Sequence, residues 1–229
     1  MCSFFSDLLY LFFPEVCSAC TTGLIRGEKT ICLDCLLTLP QTRFHERPGN
    51  AAETQLSGLA PVYAVASLWH FNKSTRVQKL IHNLKYEGHQ DAGVMAGRLL
   101  AQQLQASSRF NGLDGIIPVP LHRVKMLKRG YNQSESFGRG LSEGLKIPMY
   151  VDWLIRSKDA SSQTTRSRRN RHEAVENAFS VNPGLVRPGH YLLVDDVITT
   201  GATLVSCINA LAAADGVKVS AASMAFARR

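Results

Sequence analysis

The sequence predicts an α/β protein, a parallel sheet flanked by helices, with a small cysteine-rich module ahead of it. Three observations lead there. Short apolar runs alternate with segments of helical period through residues 59–229, the order that builds a parallel, doubly wound sheet. One of those runs, Tyr191 to Val194, passes into two adjacent carboxylates, a threonine-rich loop and then a periodic apolar segment. Four cysteines fall in a Cys-x2-Cys, eleven residues, Cys-x2-Cys array near the amino terminus.

At 229 residues, 45% hydrophobic and 19% charged, the chain can bury the core of one ordinary domain plus a small appendage. Its first apolar run, Phe4 to Phe13, lacks a basic flank, is interrupted by Asp7 and is followed by no small-residue cleavage site. It is also too short for a bilayer, which needs about 20 apolar residues. We read it as a short amphipathic helix packed on the cysteine module or the main domain, with membrane-surface contact as the alternative. No membrane span and a cytoplasmic location are expected.

The array Cys17, Cys20, Cys32 and Cys35 reads as structural zinc. Each Cys-x2-Cys pair can set two thiolates on one ion, and two pairs close a tetrahedral site. Two disulfides in a secreted chain are the competing reading; Cys2 and Cys207 read as free thiols. Residues 1–40 form this module, residues 41–58, with Pro48, Gly49 and Asn50, have linker composition, and residues 59–229 form the main domain.

Within that domain Val62 to Leu68 reads as a strand, and Val77, Leu80, Ile81 and Leu84 make one apolar helix face that ends near Lys85 to Gly88. Asp91 to Gln105 is a second helix. Ile116 to Val119 is a strand leading to a basic loop, Pro120 to Gly130. Ser134 can cap a helix bearing Phe137, Leu141 and Leu145, although Gly138, Gly140 and Gly144 disfavour it. Met149 to Val151 is a short strand, a polar arginine-rich span runs to Ala178, and Val217 to Ala225 is an alternating last strand. There is no internal repeat.

The chemistry concentrates at the turn after Tyr191 to Val194. A strand-to-helix loop aims backbone N–H groups and a positive helix end at its ligand, and the Thr199, Thr200 and Thr203 hydroxyls add donors, a setting that fits a phosphate monoester. Gly201 lets the backbone approach closely. Asp195 and Asp196 then face vicinal hydroxyls. The alternative is a solvated acidic turn with a threonine cap.

The formal charge is +8, and it is localised: residues 122–146 hold six basic and two acidic groups, residues 156–171 six and one. Surfaces of that kind suit pyrophosphate or a nucleic acid backbone, or serve solubility alone. None of the seven histidines makes a second metal site or a nucleophile–base pair. His122 is the one in a site loop.

Val-Asp-Asp-Val-Ile-Thr-Thr-Gly-Ala-Thr, residues 194–203, resembles the phosphoribosyl pyrophosphate (PRPP) motif of type I phosphoribosyltransferases. Pro118-Val-Pro-Leu, continuing through Arg129-Gly-Tyr-Asn-Gln-Ser134, and Gln163 through Arg171 to Ala178-Phe179 resemble the matching segments of the ComF family, in the same order. That family, named for a competence protein F used in DNA uptake, joins a four-cysteine zinc module to a phosphoribosyltransferase domain. Ala174 departs from it, since many members carry Asn there. The resemblance implies a type I phosphoribosyltransferase-like sheet, with Asp195 and Asp196 on the ribose diol and Thr199, Thr200, Gly201, Ala202 and Thr203 on the 5′-phosphate. It further implies Lys128 and Arg129, with Lys85 as a weaker candidate, on pyrophosphate, and Gln163, Arg168 and Arg171 in a loop that closes over the site. Mg²⁺ would bridge the PRPP oxygens.

Two functions of different class follow from the resemblance. One is Mg²⁺-dependent transfer of phosphoribosyl from PRPP to an acceptor nitrogen. The other is non-catalytic: PRPP sensing with binding of single-stranded DNA and of DNA-uptake proteins.

Overall fold

The computed structural model describes residues 15–72, 75–156 and 178–228. The run Phe4 to Phe13 and the candidate loop residues Gln163, Arg168 and Arg171 lie outside them. A four-stranded sheet, all parallel, is made by β1 (Val62–Phe71), β2 (Gly115–Pro118), β5 (Gly189–Ile198) and β6 (Val217–Ala227), in the order β1-β6-β5-β2. β3 (Leu154–Arg156) and β4 (Phe179–Val181) form a separate antiparallel pair that sequence periodicity missed; they are three residues each and flank the arginine-rich span.

Helices cover both faces. On one lie α3 (Arg76–Tyr86), α4 (Gln90–Gln105) and α6 (Gln133–Leu145), together with the cysteine module and its helix α1 (Leu33–Thr38). On the other lie α2 (Ala51–Ser57), α7 (Ala202–Ala212) and the β3–β4 pair. This double cover explains why β6 does not alternate as expected. Ser220 to Phe226 are all buried, as strands of a parallel sheet with two covered faces should be. The predicted strand at Met149 shrinks to a single parallel bridge to Ile116, in which Pro148, which has no N–H to donate, gives only its carbonyl, to Ile116 N at 2.9 Å.

The glycines of α6 have a packing reason that propensity does not show. A Cβ on Gly140 would run into the Val94 carbonyl of α4, and one on Gly97 would come within 2.8 Å of the Gly140 Cα. α4 and α6 therefore touch backbone to backbone.

Residues 41–58, which have linker composition, are folded against the sheet. Asn50 caps α2 by accepting from Ala52 and Glu53 N–H, both at 3.1 Å, and its amide donates to the Val65 carbonyl at 2.9 Å. Ala52 and Leu56 are fully buried, and Glu53 pairs with Arg109 while accepting the Val65 N–H. Pro48, Gly49 and Asn50 mark the entry to a helix rather than a tether, because Asn at an N-cap and in a linker look alike in composition.

A candidate sugar-phosphate site at the carboxyl edge of the sheet

The carboxyl ends of β2 and β5 open into a cleft of about 230 Å³, where open α/β sheets place their ligands. Asp195 and Asp196 lie within β5, which continues to Ile198, rather than in the turn that follows the strand. Asp195 Oδ1 accepts the Asp196 N–H at 2.8 Å and the Ser134 hydroxyl at 3.0 Å. The expected cap, Ser134, is free to do this because Asn132 caps α6 in its place, accepting from Ser134 N–H at 3.1 Å and donating to the Val119 carbonyl at 3.0 Å. Asp196 Oδ2 meets Lys85 Nζ at 2.7 Å. Burial first, and the Asp196 charge second, push the Asp195 carboxyl up to about 7, against the pull of its two hydrogen bonds and of Lys85.

The loop that follows runs from Thr199 to Thr203 around a small hollow and feeds α7. Gly201 caps α7 in the left-handed region, φ +77°, and a Cβ there would overlap the Leu56 side chain. Ala202 N–H meets Thr200 Oγ1 at 3.3 Å. Gln55, on α2, donates from Nε2 to the Thr199 carbonyl at 2.8 Å. The loop is thus held from below by a helix that composition alone had placed in a tether.

Of the cations singled out for pyrophosphate, Lys85 and Arg129 line the cleft together with the acidic pair. Lys128 does not; Lys125 and Arg156 do. The stretch Pro120 to Gly130, expected as a loop, carries α5 (Arg123–Arg129), capped by His122 Nδ1, which accepts the Val124 N–H at 3.2 Å. His122 is therefore occupied as a cap. No residue of α5 is buried, and Arg129 is fixed by Gln133 Oε1 at 2.7 Å and lies 5.3 Å from the centre of the Tyr86 ring. Arg156 lies 5.1 Å from the Phe179 ring centre, and burial lowers its pKa from the ordinary value, with Cys207 and Asp195 pulling the other way. Its buried Nε meets no hydrogen-bond partner among the described residues. Lys125 and Arg156 were hidden from sequence reasoning because one needs the helix and the other the β3–β4 pair to reach the cleft.

At the other end of the chain the sulfurs of Cys17, Cys20, Cys32 and Cys35 all lie within 4.8 Å of one another. All four are outside any disulfide, and the Cys20 and Cys32 sulfurs are 3.6 Å apart, well beyond bonding distance. Cys17 Sγ accepts N–H groups from Ala19 at 3.4 Å and Cys32 at 3.3 Å. Such bonds stabilise thiolates, so the donor set fits a closed metal site. The module is tied to α3 through Asn83 Nδ2 on the Ser18 carbonyl at 3.0 Å. No helix among the described residues is long and apolar enough to cross a membrane.

Comparison with known proteins bears on this arrangement. The chain is 30% identical to the DNA utilization protein YhgH of Escherichia coli O157:H7 over 192 residues, 82% of this chain and 80% of that protein. It is 35% identical to Competence protein F of Haemophilus influenzae over 130 residues, 55% and 57% of the two chains. The chain belongs to the ComF family. Another ComF relative, Competence protein ComFC of Streptococcus pneumoniae, is 27% identical over 203 residues, 87% and 83% of the chains. No family model matches. Among solved structures, the glutamine PRPP amidotransferase of B. subtilis overlaps 62% of this chain and 30% of its own, at TM-score 0.41 and 22% identity. The adenine phosphoribosyltransferase of Leishmania donovani overlaps 79% and 82%, at TM-score 0.37 and 15% identity.

Proposed function

We propose that this ComF protein binds PRPP with Mg²⁺ in the cleft and acts as a phosphoribosyltransferase on an acceptor nitrogen. One observation carries the reading: the Asp195–Asp196 pair, Thr199, Thr203 and the cations Lys85, Lys125 and Arg129 line one cleft, and the Thr199 to Thr203 loop at the start of α7 rings a small hollow that shares Asp195, Val197, Thr199 and Thr203 with it. Carboxylates take the hydroxyl hydrogens of a diol, loop amides and hydroxyls take the phosphate, and the cations take the charge that builds on departing pyrophosphate. Mg²⁺ would be held mostly by substrate oxygens and would neutralise them. Zn²⁺ is the metal proposed for the four thiolates, and the cytoplasm is the proposed location.

Isothermal titration of Mg-PRPP tests this. Wild type should bind in the micromolar to millimolar range typical of metabolites, and Asp195→Asn combined with Asp196→Asn should abolish the heat. Equal binding by the double variant would overturn the assignment.

A second reading, PRPP sensing coupled to single-stranded DNA and uptake proteins, is favoured by the relatives' names, DNA utilization and competence, and by α5. That helix carries Arg123, Lys125, Lys128 and Arg129, and none of its residues is buried. DNA affinity carried by these groups should fall steeply as salt rises. A flat salt response, or no loss on changing Arg123 and Lys128 to Ala, would sink it.

A further inference from the structure

α5 stands between the cleft and a larger groove. Lys125 and Arg129, four residues apart and hence on one face of the helix, line the cleft. Arg123, Val124 and Met126 line the groove, of about 720 Å³, whose other wall comes from the segment that enters β3 and from Leu185 after β4.

The surface here is apolar where it meets solvent. Val124 and Leu127, three apart on α5, are 65% and 78% exposed, and Val151, Ile155 and Leu185 across the groove are exposed as well. A lone exposed apolar side chain is ordinary, but five gathered around one groove mark a contact surface. The core of this chain makes no use of the ridge, since no residue of α5 is buried.

Charge decides what fits. Arg123 stands on one wall and Asp152 on the other, and neither is in an ion pair among the described residues. A two-fold contact between identical chains requires a patch that is its own complement. An apolar ridge beside an apolar hollow, with a guanidinium and a carboxylate on opposite walls, meets that requirement. A nucleic acid backbone would find apolar walls and a carboxylate instead of cations alone.

We propose that this face pairs with the same face of a second copy of the chain, the α5 ridge of each copy seated in the other's groove and Arg123 of each against Asp152 of the other. Pro120, Leu121 and Arg156 belong to the walls of both groove and cleft, so pairing sets a second copy at the edge of the candidate site. The pairing does not depend on which ligand the cleft takes.

Sedimentation equilibrium on the full metal-loaded chain tests this. Wild type should be a dimer in exchange with monomer, with a dissociation constant in about the micromolar range or tighter. Leu127→Glu and Val124→Glu, both at exposed positions, should each weaken association by about tenfold or more and melt as wild type does. Arg123→Asp and Asp152→Arg should each be monomeric at concentrations where wild type pairs, because each sets like charges face to face at both ends of the contact. Mixed in equal amounts these two variants should pair again, since one copy then presents two carboxylates to the other's two guanidinium groups. Wild type that stays monomeric up to about 0.5 mM, species that grow beyond the dimer, a dimer indifferent to Leu127→Glu and Val124→Glu, or charge variants that do not recover on mixing would each overturn the proposal. Monomeric wild type that binds vesicles of anionic phospholipid through Leu127 overturns it in favour of a membrane surface.

Discussion

At the scale of single residues, Asp195 sets the terms of the site. Its carboxyl is held above its ordinary value of 3.8, at about 7, because burial and Asp196 disfavour its charge. Between those two pH values the folded protein keeps a proton that the unfolded chain has released, so stability falls as pH rises through that window and levels off above it. Asp195→Asn removes this dependence. Thermal melts of wild type should drop by a few degrees more than those of the variant between about pH 5 and 7.5, and above that range the variant should be the more stable of the two. Parallel curves would mean that the carboxyl is ionised throughout. The proximity of Asp195 and Asp196 was legible from sequence because adjacent carboxylates and a glycine–threonine loop are local facts. Ser134, which fixes Asp195, was not: its role depends on Asn132 taking the cap, and the two residues that meet are far apart in the chain.

At the scale of elements, α2 matters most. It was hidden by composition, since Pro48, Gly49 and Asn50 read equally as a tether and as a helix entry, and only the Asn50 bonds to Ala52, Glu53 and Val65 decide between them. Once folded, α2 presses Leu56 under Gly201 and sends Gln55 to the Thr199 carbonyl. The Thr199 to Thr203 loop is therefore shaped by a segment more than a hundred residues upstream. Gln55→Ala should lower the melting temperature by no more than a few degrees, because one exposed hydrogen bond contributes about 0.5–1.5 kcal/mol, while weakening Mg-PRPP several-fold by calorimetry. Gln55→Glu, which cannot donate to a carbonyl, should fail to restore it. Unchanged affinity in both would show that the loop holds its shape alone. The long helices and buried strands, by contrast, were plain in the sequence: Val77, Leu80, Ile81 and Leu84 are all buried on α3 as their spacing required. β3 and β4 were not, because three residues are too few for a period and their partners sit across the arginine-rich span.

At the scale of the whole molecule, the cysteine module and the cleft are joined through α3. Asn83 holds the module at the Ser18 carbonyl, and Lys85, two residues on, reaches Asp196. The core cluster on that face runs without a break from Cys17 and Cys35 to Leu80 and Leu84. Stripping the metal should therefore lower the melting temperature and weaken Mg-PRPP binding together, with elemental analysis giving one zinc per chain beforehand; readdition of Zn²⁺ should restore both. Chelated protein that melts and binds like the untreated sample would make the module an independent appendage. The four-cysteine spacing was readable at once, but its attachment to the helix of Lys85 was not, because Ser18 and Asn83 carry no motif.

The contact between Gly97 and Gly140 reaches beyond this one chain. Two rods that touch at bare main chain admit a single residue type at each crossing point, and no rearrangement of neighbouring side chains can make room, since the obstacles are carbonyls and amides. Cysteines can be traded for another way of stapling a small lobe, and a basic surface can be redrawn with other cations. A steric key of this kind cannot be recut. In a diverged sequence that has shed its metal ligands, that pair of hydrogens would be the mark by which to know the same architecture.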